Sequence, residues 1–428
     1  MPGHKGTDFS GMESMDITEV LGADSLYEAD GIIAQSEANA TALFGCPTVY
    51  STEGASQCIR AMLYLVLLRA KQLKRSPLVA AGRNAHKTFL TAAALLGLDI
   101  KWLYPQEDDG YLSCNLTSDD LNTYLEASEE KPIAVYLTSP DYLGNTLDIA
   151  AMAEVCHRHD VLLAVDNAHG AYLRFLPESL HPIDLGADLC CDSAHKTLPA
   201  LTGAAYLHLS EKMDRCIGAQ VKNAMMLFGS TSPSYLILQS LDATNAYLET
   251  YPQRLSAFID IILPMKQRLC GHGYVLQGNE PLKVTISAKA YGYTGTQLAD
   301  YLRLHNIEPE FADQDYLVLM LTPEISQESL IQLEKVLLAL PQKAPIVFPA
   351  PKLIPSQQIL SVREAMLSDS EILPVQQCVG RVLAAPMVGC PPAVPILVCG
   401  EQITEQAVDR FCYYGICECC VVKQSDTL

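Results

Sequence analysis

The sequence predicts an α/β protein organised on a mostly parallel sheet, and three observations carry that expectation. Short apolar runs alternate with helical stretches from about residue 41 to residue 245, two of those runs end in polar clusters, and a smaller α/β pattern follows. The apolar runs fall at residues 78–81, 100–104, 133–137, 162–165, 187–191 and 204–208. Each is strand-length, and the helix-length segments between them supply the crossovers that parallel strands require.

The remaining elements follow in order. Residues 1–40 read as an N-terminal segment with turn signals at Gly3, Gly6, Gly11 and Gly22, and a helix is expected over 31–44. Residues 41–245 form the large domain. Residues 246–342 read as a smaller α/β domain with strands at 283–287 and 316–321 around a helix at 296–305. Residues 343–357, rich in proline and lysine, read as a linker. A C-terminal α+β module over 358–428 starts with a helix near 361–367 and carries strands around 393–398 and 416–422.

Composition narrows the function classes. At 428 residues and 49% hydrophobic content, the chain is long enough to bury more than one core. Lys and Arg total 29 against 49 Asp and Glu, and the net charge of −20 argues against a nucleic-acid or anionic-membrane surface. Such a field favours cationic ligands, although acidity that merely keeps an oligomer dispersed explains it equally well. No targeting segment is evident, and no apolar run is long enough to span a bilayer. The 15 cysteines, an odd number, therefore read as reduced thiols of a cytoplasmic protein. Cys412, Cys417, Cys419 and Cys420 lack the paired spacing of zinc knuckles, and their alternation reads as a buried strand, so no metal is expected.

Two polar clusters at strand ends carry the chemistry. Val165-Asp166-Asn167-Ala168-His169-Gly170 ends one apolar run, and Asp192-Ser193-Ala194-His195-Lys196-Thr197 ends another. In open α/β sheets ligands collect outside the carboxyl ends of the strands. A lysine and a carboxylate brought together there suit pyridoxal phosphate, which needs an amine to hold it as a Schiff base and an anion to keep its ring nitrogen protonated. Taken singly, Lys196 reads as a surface lysine and Asp166 as a helix cap. Upstream, Thr52-Glu53-Gly54-Ala55-Ser56-Gln57 precedes a strongly helical run and suits a phosphate cradle, or else only a helix start. In Gly82-Arg83-Asn84-Ala85-His86-Lys87, His86 suits the face of a cofactor ring, or else a loop or cap position.

These motifs, in this order, resemble the Orn/Lys/Arg decarboxylases of the aspartate aminotransferase fold. MPGHKG at 1–6, DITE at 16–19, TEGASQ at 52–57, GRNAHK at 82–87, SPDYLGN at 139–145, VDNAHGAY at 165–172, DSAHKTLPALTGAAYLH at 192–208 and STSPSYLILQSLD at 230–242 carry the resemblance. It continues through YGYTG at 291–295, IEPEFAD at 307–313, SVREA at 361–365, VGRVLAAP at 379–386 and PPAVPILVCGE at 391–401. It implies a pyridoxal-phosphate-dependent enzyme of fold type I that decarboxylates a basic amino acid, arginine or lysine rather than ornithine. Lys196 would hold the cofactor, Asp166 would face the ring nitrogen, His86 would stack on the ring, and His169 would lie near the ring hydroxyl. Ala55, Ser56 and Ser193 would surround the phosphate, and His195 would contact substrate or deliver a proton. Ser230 and Thr231 would reach the phosphate of a neighbouring subunit, which implies a homodimer or a higher homo-oligomer with shared sites.

Some positions depart from the family pattern. Cys-Pro-Pro-Ala at 390–393 stands where Tyr-Pro-Pro-Gly is common, and Cys399 stands in place of a common proline. Met1 directly precedes the first motif, so a short N-terminal arm is expected, and the chain is similar to the short form without a receiver-like domain. The distal end of the substrate calls for acidic side chains, for which Glu310, Asp313 and Glu401 are candidates or else structural carboxylates. The same fold also hosts transamination and aldol cleavage, and a non-catalytic regulatory homologue is the remaining alternative.

Overall fold

The computed structural model describes residues 1–105, 110–352, 355–386 and 392–424. They gather into two compact units, one of residues 1–80, 117–139 and 148–256, the other of residues 81–116, 140–147 and 257–428. The main sheet has seven strands: β1 (Thr48–Ser51), β2 (Leu78–Gly82), β3 (Asp99–Leu103), β4 (Ala134–Thr138), β5 (Leu162–Asp166), β6 (Leu189–Asp192) and β7 (Ala205–Leu209). Their order is β1-β7-β6-β5-β4-β2-β3. β4, β5 and β6 run parallel, while β7 runs antiparallel to both β6 and β1.

The alternation read in the sequence thus produces the expected mostly parallel sheet. β5 sits inside it, and Leu163, Ala164 and Val165 are fully buried. Continuous burial on both faces explains why this strand shows no polar alternation. Helices α1 (Ile32–Phe44), α2 (Ala55–Leu73), α3 (Lys87–Leu96), α4 (Ser118–Ala127) and α5 (Ile149–Arg158) precede or link the strands. α1 ends where Gly45 adopts φ 69°, its N–H returning to the Thr41 carbonyl. Asp148 caps α5 by accepting from the Ala151 N–H, and His157 and Arg158 occupy its last turn, where cations suit the helix dipole.

The second unit carries two smaller sheets. β8 (Leu276–Gln277), β9 (Lys283–Ser287), β10 (Phe311–Ala312) and β11 (Tyr316–Met320) pair in the order β10-β11-β9-β8. The helix Gly295–Arg303 joins this sheet, opened by a capping box between Thr294 and Gln297. β12 (Ser370–Pro374), β13 (Leu383–Ala385) and β14 (Glu418–Val422) form a three-stranded sheet in the order β12-β14-β13. On β14, Cys419 is buried and Cys420 is half-buried, while Cys412 and Cys417 are exposed.

One expected strand is absent. Residues 393–398 are buried but irregular, and Pro392 and Pro395 remove N–H donors from any ladder there. Cys390 and Pro391 lie outside the described residues. The segment's carbonyls are met from elsewhere: the Arg83 guanidinium donates to the Pro395 and Ile396 oxygens at 3.0 and 2.9 Å, and the Lys87 N–H donates to the Ala393 oxygen at 2.8 Å. Glu401 lies 3.6 Å from Arg83, both side chains nearly sealed from water. Burial pushes the Glu401 carboxyl up, and Arg83 opposes that shift.

Replacing Arg83 with Met strands a buried carboxylate and two carbonyls and is expected to cost about 3–5 kcal/mol in chemical unfolding. Changing Glu401 to Met in the same chain should recover part of that loss. A double variant less stable than the single one would contradict this account of the pair.

Candidate active site

Because β5 and β6 are parallel neighbours, their carboxyl ends leave the sheet at one edge. Asp166 closes β5, and Asp192 closes β6 immediately before Ser193 and the short helix α6 (Ala194–Thr197) that carries His195 and Lys196. The two loops are stitched together by the Asn167 N–H to the Cys191 oxygen at 3.0 Å and the Ser193 N–H to the Ala168 oxygen at 3.3 Å. Consequently Lys196 Nζ lies 2.7 Å from His169 Nε2, which joins two of the residues singled out in the sequence.

Asp166 is 3% exposed, and each of its oxygens is engaged. Oδ2 accepts from the Tyr136 hydroxyl at 3.0 Å, and Oδ1 accepts from the Ala168 N–H at 3.1 Å. Tyr136 did not figure among the sequence candidates. Its signal lay in the strand register: Thr138 faces Asp166 across the parallel pair, and Tyr136, two residues earlier, shares that face and is long enough to reach along it.

Asp192 is the second residue that sequence reading passed over. It is fully buried, its Oδ2 accepting from His181 Nε2 and His208 Nε2, each at 3.1 Å, and its Oδ1 from Asn167 Nδ2 at 2.6 Å. Burial alone would raise this carboxyl; His181 and His208 overcome that and hold it below the usual carboxylate range. Burial also lowers His208, against the pull of Asp192. His181, Cys190 and Asp192 are close enough to share a metal ion, but Asp192 already has hydrogen-bonded partners on both oxygens. Gly170 closes this corner tightly, since a Cβ there would collide with the Asn167 side chain.

The phosphate cradle also takes shape. α2 begins after Gly54 at φ 71°, no side chain caps its first turn, and no acidic residue lies there. Gln57 is instead turned inward, accepting from Ser51 Oγ at 2.6 Å and donating to the Met225 oxygen at 2.8 Å. Ala55 is buried and Ser56 half-buried at the mouth of the helix. Uncapped N–H groups with the positive end of a 19-residue helix behind them suit an anion. Two buried hydroxyls, Thr52 Oγ1 beside the cradle in sequence and Thr197 Oγ1 next to Lys196, have no hydrogen-bond partner among the described residues. Ser193 is buried but does not cap α6, which leaves its hydroxyl outside the helix ladder. These donors, the lysine and the carboxylate fit pyridoxal phosphate chemically.

The other candidates occupy varied positions. His195 is half-buried, and its Nδ1 lies 3.0 Å from the Ala204 oxygen, so the proton sits on Nδ1 and Nε2 is left as the acceptor in the neutral ring. His86 belongs to the second unit, where its Nδ1 accepts from the Thr88 N–H and so caps α3. Ser230 and Thr231 lie on an exposed loop before the helix Tyr235–Leu248. Of the acidic candidates, Glu310 accepts from the Tyr142 hydroxyl at 2.7 Å, and Glu401 is matched by Arg83. Burial pushes Asp313 up to about 6, despite the amides of Tyr316 and Asp315 that hydrogen-bond it.

Residues 4–272 match the model of the Orn/Lys/Arg decarboxylase major domain, and residues 340–419 match that of the Orn/Lys/Arg decarboxylase C-terminal domain. An arginine decarboxylase of Bacillus subtilis is 29% identical over 95% of this chain and 88% of its own. Among solved structures, lysine decarboxylase A of Pseudomonas aeruginosa superposes with a TM-score of 0.80 at 18% identity, covering 99% of this chain and 78% of its own. A lysine decarboxylase of Francisella novicida gives 0.79 at 16% identity, with the same coverage. These two show the likeness of fold. No helix among the described residues is long and apolar enough to cross a membrane.

The Asp192 cluster yields a stability test. Asp192→Asn removes the anion shared by two buried imidazoles and should cost about 3–5 kcal/mol in denaturant unfolding. A loss below about 1 kcal/mol would mean that the cluster does not hold the two loops.

Proposed function

The chain belongs to the Orn/Lys/Arg decarboxylase family and is an amino acid decarboxylase, and from that premise we propose that it releases carbon dioxide from arginine or lysine, less readily from ornithine, with pyridoxal phosphate held on Lys196. The observation that supports this reading most is the joining of Lys196 to His169 on loops adjoining Asp166. Relatives named arginine decarboxylase that span most of the chain make arginine the first substrate to test.

Bound pyridoxal phosphate would supply an electron sink for the carbanion left when carbon dioxide departs. The chain's own residues do the rest. His169 Nε2, 2.7 Å from Lys196 Nζ, is placed to take a proton from the ammonium and leave a nucleophilic amine. Asp166 presents an anion to the ring nitrogen, and the Tyr136 hydroxyl and Ala168 N–H fix the direction of that carboxylate. The first turn of α2, with Ser56 and Ser193, anchors the phosphate. His195, whose Nδ1 faces the Ala204 oxygen, would turn Nε2 to the substrate and, once protonated there, deliver the proton that replaces the departed carboxylate. The ring-face role of His86 and the neighbouring-subunit role of Ser230 and Thr231, with the dimer they imply, stay part of the proposal, as does the C-terminal module beginning near residue 358.

Two measurements test it. Wild-type protein with added pyridoxal phosphate should release carbon dioxide and the matching amine from arginine or lysine, and Lys196→Ala should abolish that release; activity surviving in the variant, or a keto acid in place of the amine, overturns the mechanism. Tyr136→Phe removes one hydrogen bond to a charged group and should lower kcat roughly 10-fold to 100-fold while cofactor affinity changes little. An unchanged kcat would remove Tyr136 from the mechanism.

A further inference from the structure

Arg410 lies on the helix Glu405–Tyr413 and is 2% exposed, yet its Nε and Nη1 have no hydrogen-bond partner among the described residues. Other buried charges of the chain are matched: Glu401 by Arg83, Asp192 by two histidines, and Glu37 by Lys222 at 2.5 Å. The carboxylate that lines the same cavity as Arg410, Asp315, is already taken. Asp315 accepts from the hydroxyls of Tyr413 and Tyr414 at 2.7 and 3.0 Å and pairs with Lys289 at 2.8 Å. Among the described residues Arg410 thus keeps two unfilled donors at a cavity of about 400 Å³ that it lines together with Ser113, Asn115, Asn145, Gln277 and Tyr414. A guanidinium withdrawn from water without an anion is strongly disfavoured, and an orphaned buried donor calls for a partner.

We propose that this cavity is a binding site for a small oxyanion ligand, a carboxylate or a phosphate group, anchored by Arg410. Nε and Nη1 lie on different edges of the planar guanidinium, and on either edge Nη2 supplies a parallel second donor, so an anion with two or more oxygens can make a two-point contact where a single oxygen cannot. The Asp315–Lys289 pair is neutral as a unit and does not cancel the attraction. Amide and hydroxyl groups on the walls give the ligand polar surroundings without a second net charge. The site shares no residue with those assigned to the decarboxylation, and the inference does not depend on that assignment.

The test is titration calorimetry on the full chain loaded with pyridoxal phosphate, so that its own phosphate site is filled. Potassium phosphate and sodium malonate are the two probes, with ionic strength held constant by potassium chloride. Saturable binding of at least one probe is expected, weakened roughly tenfold or more by Arg410→Met and less by Arg410→Lys, which keeps the charge but loses the planar fork. Phosphate alone binding would assign a phosphoryl ligand, and malonate alone a carboxylate. Absence of saturable binding by either probe, or equal binding by wild type and Arg410→Met, overturns the proposal. The melting temperature gives an independent check: in chloride buffer Arg410→Met should melt no lower than wild type, and a marked drop would show that Arg410 is paired within the protein and sink the idea.

Discussion

The carboxylate of Asp192 is the constraint on which the meeting of the two strand-end loops depends. It sits at the last position of one parallel strand, and through Asn167 it grips the loop that leaves the neighbouring strand. A carboxylate sealed from water persists only when its lone pairs are filled, and here two imidazoles and an amide fill them. The geometry of Lys196 against His169 is thereby set from below.

Buried polarity is distributed with the same logic elsewhere. Tyr136 approaches Asp166 from the adjacent strand and the Ala168 N–H from the loop that follows, so the direction of that anion is decided jointly by the sheet and the loop. The cradle at α2 works in the opposite sense: its first turn is left bare of side-chain caps, while Gln57 is turned into the core. Donors are thus consumed to make the scaffold rigid at one place, while the start of α2 goes without a side-chain cap.

Much of this was legible in the sequence because the informative signals were local. Strand-length apolar runs gave β2, β4, β5, β6 and β7 to within about two residues, and the polar clusters after two of them marked the loops that meet. Tyr136, His181 and His208 were not legible, because each acts through a partner fixed by sheet register or by a distant loop, and a hydrophobic pattern treats them as core. The expected strand at 393–398 failed for a related reason. Its apolar content signalled burial correctly, but burial is separable from ladder formation when prolines remove donors and a distant arginine supplies them. Which substrate is decarboxylated was illegible because recognition of a distal cation depends on carboxylates whose surroundings only the folded chain defines.

The clasp between Arg83 and the 395–396 carbonyls joins positions 312 and 313 residues apart. On a ribosome the arginine emerges long before its acceptors exist, so the second unit, assembled from three separate stretches of chain, stays incomplete until residues 395–396 have been made. Contacts of such span are among the slowest to close, because the loop entropy is lost before any interaction offsets it. A nascent chain stalled short of residue 395 would accordingly carry a cation destined for the interior with these two carbonyls not yet there to receive it.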